Sequence, residues 1–106
     1  MEKQTAISVL AALAQETRLD VFRLLVQAGG QGMAPGAICD ELGVASATLS
    51  FHLKELKSSG VVACRREGRS LIYSPNFAVM NDLLGFLTEN CCSGVAGCGD
   101  SSSQAS

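Results

Sequence analysis

Apolar residues recur at intervals of three and four along most of the first sixty positions, then alternate, then return to helical spacing. Ile7, Leu10 and Ala14 carry the first helical run, Ala6 to Ala14. In "QETRLDVFRLLVQAGG", Leu19, Phe22, Leu24, Leu25 and Val26 form a broad apolar face, Glu16 lies in the first turn, and Gly29 and Gly30 stop the helix. A flexible "GGQGMA" follows. Pro35 then suits the first turn of a short helix, Pro35 to Leu42, which Gly43 ends. "VASATLSFHLKELKSSG" restarts the pattern: Ser46 is placed to cap, Leu49, Leu53 and Leu56 share one face, and Gly60 closes the segment. Two helices joined by a tight Gly-containing turn of about four residues predict a helix-turn-helix.

From Val61 the period changes to two. Val62, Cys64 and Arg66 alternate with Val61, Ala63 and Arg65, and Leu71 to Tyr73 are strand formers. With "EGR" as the turn, where Gly68 permits a tight reversal, the pattern predicts a hairpin of Val61–Arg66 and Ser70–Ser74, broken by Pro75 and Asn76. A last helix, Phe77 to about Asn90, carries Phe77, Met80, Leu84 and Leu87 and also Val79, Leu83 and Phe86. That surface is too wide for a helix packed on one side only. The expected fold is mainly α with a small β-hairpin, a winged helix-turn-helix in the order α-α-α-α-β-β-α. Residues 1–90 would form the DNA-binding and dimerisation domain and residues 91–106 a cysteine-containing tail, whose small polar end, Gly99 to Ser106, favours disorder.

Composition changes this picture at three points. In a chain of 106 residues, 47% apolar content exceeds what one small core hides, and self-association is the simplest outlet. The longest apolar run, Val9 to Ala14, has six residues against the roughly 20 of a bilayer span, and the N-terminus lacks a secretory signal. A soluble, cytoplasmic protein without a membrane partner is expected. Net charge is −2, yet Ser50 to Ser70 holds five basic side chains and two acidic ones. A basic patch on an acidic body is compatible with double-stranded DNA, because the local field governs phosphate contact.

The candidate DNA contacts fall on that patch. Ser46, Thr48, Ser50 and His52 are read as lying opposite the leucine face, where hydroxyls and an imidazole reach phosphates or base edges. Lys54 and Lys57 suit phosphates, and Arg65, Arg66 and Arg69 bracket the hairpin tip. "LAQETRLDVFRLL", "ELGVASATLSFHLKELKSSGVV" and "REGRSLIYS" together resemble the ArsR/SmtB family of bacterial metal-responsive repressors. The resemblance spans Leu13 to Ser74. It implies a homodimer built on the first and last helices, bound to its operator without effector and released with it.

The effector is a separate question. Arsenic sensors of that family resemble E-L-C-V-C-D-L-C before the recognition helix; here Ala34 and Gly36 replace two cysteines and Cys39 matches the third. Zinc sensors use Asp, His and Glu on the last helix, and Asp82 and Glu89 have no histidine near them. Cys39 and Cys64 sit among apolar neighbours and are read as packing residues. There remain Cys91, Cys92 and Cys98 in "TENCCSGVAGC". Thiolates select soft ions, and three without a fourth ligand suit pyramidal As(III) or Sb(III). Adjacent helical side chains diverge by about 100°, so Cys91 and Cys92 converge only where the helix unwinds; Gly94 and Gly97 then bring Cys98 round. The pattern also resembles the relocated As(III) site of some ArsR proteins. Thiol oxidation or a persulfide, Cd or Pb with a fourth ligand, and a thiol metal carrier are the alternatives. No enzyme is expected: His52 is the only histidine, and no C-x-x-C pair or cofactor loop is present.

Overall fold

The computed structural model describes residues 1–91. Five helices and one hairpin follow each other as α1 (Lys3–Leu13), α2 (Glu16–Ala28), α3 (Pro35–Leu42), α4 (Ser46–Ser59), β1 (Val62–Glu67), β2 (Ser70–Pro75) and α5 (Phe77–Leu87), with a 3₁₀ turn at Gly29–Gln31. This is the expected winged helix-turn-helix order. α1 begins three residues earlier than the apolar spacing indicates, because the Ala6 amide donates to Glu2 O and draws an exposed polar turn into the helix. α5 ends three residues early. Thr88 Oγ1 donates to Leu84 O at 2.8 Å, the Glu89 amide turns to Phe86 O, and Asn90 stands at φ +59°.

One core joins the elements. Ala6, Val9 and Ala12 of α1, Val21, Phe22 and Leu25 of α2, Ile38 of α3, and Leu49, Leu53 and Leu56 of α4 are buried together with Val61, Val62 and Leu83. The α2 face is therefore narrower than expected: Leu19 and Val26 are exposed and Leu24 only half-buried. The helix carries its apolar stripe on 21, 22 and 25, and Leu19 and Val26 fall at its margins. Small residues on α1 let the backbone come close to α4, while Ile7 and Leu10 on its other side stay exposed, as do Phe77, Leu84 and Leu87 on α5. Apolar surface in excess of the core therefore gathers on the first and last helices.

β1 starts and ends one residue later than expected and β2 is one residue longer, so that the hairpin pairs Glu67 with Ser70 at its tip and Val62 with Pro75 at its base. Pro75 ends β2 buried rather than breaking the strand before it. "GGQGMA" is not a loose link. The Met33 amide donates to Tyr73 O and the Tyr73 amide to Met33 O, both at 2.9 Å, so the segment forms a one-residue third edge to the wing. Gly32 makes this possible: at φ +73°, a Cβ there would lie 2.6 Å from Tyr73 O. Gly36, exposed in α3, has ordinary helical geometry and open space around it. Urea unfolding should separate the two. Gly32→Ala is expected to cost at least about 2 kcal/mol through strain and backbone clash, whereas Gly36→Ala should add roughly 0.5–1 kcal/mol.

Candidate nucleic-acid interface

α3, the three-residue turn Gly43–Ala45 and α4 make the helix-turn-helix, and β1–β2 form the wing. Gly43 adopts the left-handed conformation, and its amide returns to Cys39 O at 2.8 Å, closing α3. Ala45, not Ser46, occupies the N-cap of α4, with no side-chain cap. Ser46 is the first helical residue, and its side chain stays exposed beside Thr48 and Ser50 at the start of the helix. Lys54 and Lys57 are also exposed, as are Arg66 and Arg69 on the wing.

His52 is elsewhere. It is 8% exposed, on the same face as Leu49, Leu53 and Leu56. Helical geometry requires this: a residue three after Leu49 and four before Leu56 lies about 60–80° from the centre of that stripe, not opposite it. Nδ1 of His52 lies 3.4 Å from Nη1 of Arg18. A guanidinium only donates, so Nδ1 accepts and the ring hydrogen sits on Nε2. Arg18 Nε also donates to Ala12 O at 2.7 Å, filling a carbonyl that the end of α1 leaves without a helical partner. His52 thus anchors α4 to α1 and α2 from the buried side of the helix, not from its exposed face.

Arg65 has partners within the chain. Nε pairs with Glu67 Oε2 at 2.8 Å, and the two terminal nitrogens donate to Gly30 O and Gln31 O at 3.3 and 2.7 Å. The side chain ties the wing to the 3₁₀ turn while remaining 42% exposed, beside the exposed Arg66 and Arg69.

Cys39 is half-buried against the core, and Cys64 is half-buried opposite Tyr73 on the hairpin, as their packing role requires. Burial first, and then the hydrogen-bonded Cys64 side chain, raise the Tyr73 phenol above its ordinary value. Cys91 lies exposed beyond α5; Cys92, Cys98 and the rest of the tail lie outside the described residues. Among the described residues, no three His, Cys, Asp or Glu side chains gather as a metal site, and no helix is long and apolar enough to cross a membrane.

A helix-turn-helix domain family matches residues 13–65. The chain belongs to the helix-turn-helix transcriptional regulators. It is 39% identical over 69 residues to an uncharacterized HTH-type transcriptional regulator of Methanocaldococcus jannaschii, across 64% of this chain and 75% of that one. An ArsR-like transcriptional regulator from Rhodococcus sp. RHA1 superposes with a TM-score of 0.71 at 27% identity, over 79% of this chain and 76% of that one. A homodimeric winged helix-turn-helix DNA-binding domain from Mycobacterium bovis, a possible ArsR-family regulator, gives 0.66 at 31% identity, over 82% and 81%. The structural neighbours of this regulator are thus ArsR-family winged-helix proteins.

The regulator's exposed cations and its buried histidine should respond differently to substitution. Lys54→Ala, Arg66→Ala or Arg69→Ala is expected to weaken DNA binding across sequences and lower the log–log salt slope by roughly one each. His52→Ala should leave that slope unchanged and lower unfolding stability by about 1–3 kcal/mol, because Arg18 loses its buried acceptor. Fluorescence anisotropy at several salt concentrations and urea denaturation report the two effects.

Proposed function

We propose that this regulator is a homodimeric repressor that leaves its operator when As(III) or Sb(III) binds Cys91, Cys92 and Cys98. The observation that carries the reading is the end of α5. The helix stops at Leu87, the Cys91 amide donates to Thr88 O at 2.9 Å, and Asn90 has already turned into the left-handed region. Cys91 therefore stands outside the helix, so helical geometry does not force it and Cys92 apart. Exposed Leu84 and Leu87 lie just before it, on the helix proposed to join the dimer. The homodimeric state of the Mycobacterium bovis neighbour and the exposed apolar faces of α1 and α5 support that dimer.

Gathering three thiolates around a pyramidal ion would fix the chain that leaves α5 and shift one winged half against the other. Half-site spacing then no longer matches the operator. Such coupling is allosteric only if the effector prefers the non-binding arrangement, typically by about 1–3 kcal/mol. The repressor would act in the cytoplasm, where its thiols stay reduced. A switch pairing Cys39 with a tail thiol is less favoured, since Cys39 packs against the core at the end of α3. Cd or Pb needs a fourth ligand, and Cys64 lies half-buried on the hairpin opposite Tyr73. A thiol metal carrier leaves the helix-turn-helix without a use.

Arsenite or antimonite added to the protein–operator complex should lower affinity by about 5–150-fold, read by fluorescence anisotropy. Cys91→Ser, Cys92→Ser or Cys98→Ser should each remove the drop. Full release of the triple-serine protein by arsenite contradicts the assignment.

A further inference from the structure

The outward face of α4 is not uniformly polar. With Leu49, His52, Leu53 and Leu56 directed into the core, the opposite line of the helix passes through Ala47, Phe51, Lys54 and Ser58. Phe51 sits in the middle of that line and is 56% exposed, more than any other exposed large apolar side chain of the described residues. Ala47, one turn earlier, is also exposed, and Ser50 and Lys54 flank the ring. The other strongly exposed apolar residues of helices lie on α1, α2 and α5; the face bearing Phe51 is turned away from the surface by which α4 packs into the domain. Lys54 and Glu55, both exposed, are its neighbours one turn on; Lys57 follows further along the helix, and Arg66 and Arg69 stand exposed on the wing.

The ring is also held. Phe51 and His52 meet edge to face, with centroids 5.5 Å apart and planes at 64°, an arrangement aromatic quadrupoles favour. His52 is itself buried against Arg18. A phenyl ring supported in this way, exposed at the centre of a helix that presents cations to phosphates, has no hydrogen bond to offer a base. Its chemistry matches one feature of the major groove, the C5-methyl group of thymine, which alanine and phenylalanine side chains contact through apolar surface.

We propose that Phe51, with Ala47 beside it, is a specificity-determining residue that reads thymine methyl groups in the major groove, oriented by His52. This rests on α4 being the DNA-reading helix. Phe51 distinguishes thymine from cytosine by the methyl group alone, whereas Ser50 and Lys54 on its flanks supply polar contacts. Because the ring is more than half exposed, its replacement removes the edge-to-face contact with His52 and leaves the leucine face of α4 in place.

A duplex is first enriched from a random pool by the wild-type protein, and its thymines are then replaced one at a time by uracil, which lacks only the methyl. Wild-type protein should lose about fourfold in affinity for each methyl that the ring buries. At the positions the ring contacts, which the short methyl of an alanine at 51 does not reach, Phe51→Ala should bind the thymine and uracil duplexes alike, and Phe51→Leu should recover part of the discrimination. Wild-type indifference to uracil at every position overturns the proposal, as does an undiminished uracil penalty in Phe51→Ala. If Phe51→Ala keeps full discrimination and instead loses self-association, the face belongs to a second copy and the proposal fails. Enrichment of no duplex defeats the DNA-binding reading itself, an outcome distinct from indifference to the methyl.

Discussion

The seating of α4 on α1 and α2 is the constraint on which the rest of the molecule depends. Ala6, Val9 and Ala12 give α1 a shallow surface, so leucines 49, 53 and 56 of α4 fit close to its backbone. At one end of this contact Arg18 joins three elements: its guanidinium reaches Ala12 O at the end of α1 and Nδ1 of His52 on α4, from its own place in the first turn of α2. Removing this linkage would leave a buried imidazole and a half-buried cation without partners. The contact also settles which face of α4 looks outward. The same residues that fill the core set the direction in which Phe51, Ser50 and Lys54 point.

α1 consequently has two apolar sides with different roles. One holds the recognition helix, and the other, with Ile7 and Leu10, stays open alongside the exposed face of α5. A partner on the open side would be separated from the DNA-reading helix by the thickness of one helix, about 10 Å. In the proposed repressor this short path lets a change at the end of α5 reorient α4 without unpacking it. The wing is tied in separately, through the Met33–Tyr73 pair and the Arg65 strut to Gly30 and Gln31. These fixings hold Arg66 and Arg69 in constant relation to the helix.

Much of this architecture was legible in the sequence, because glycines and a proline mark the boundaries of α2, α3 and α4 and because the change from helical spacing to alternation marks the hairpin. α3 was readable to the residue, with Pro35 at its start and Gly43 at its end. Long-range hydrogen bonding was not readable. Nothing local announces that Gly32 must lie against Tyr73, or that Arg65 spends its donors on carbonyls 34 and 35 positions earlier. The position of His52 was readable but needed strict helical counting: polarity drew it outward, while its spacing from Leu49 and Leu56 placed it inside. The same count exposes Phe51, on the line of α4 opposite the leucines. Of the tail, only Cys91 lies among the described residues, so the three-thiol reading still rests on chemistry and spacing.

On this packing the dimer-side helix and the DNA-reading helix form one cooperative unit joined through the α4 seat. Amide hydrogen exchange in increasing sub-denaturing urea tests this most directly, followed residue by residue in α1, α4 and α5. The core-facing amides of α1 and α4 should converge on a single opening free energy with the same urea dependence. Exchange of α4 through a separate, low-energy opening while α1 remains protected would contradict it.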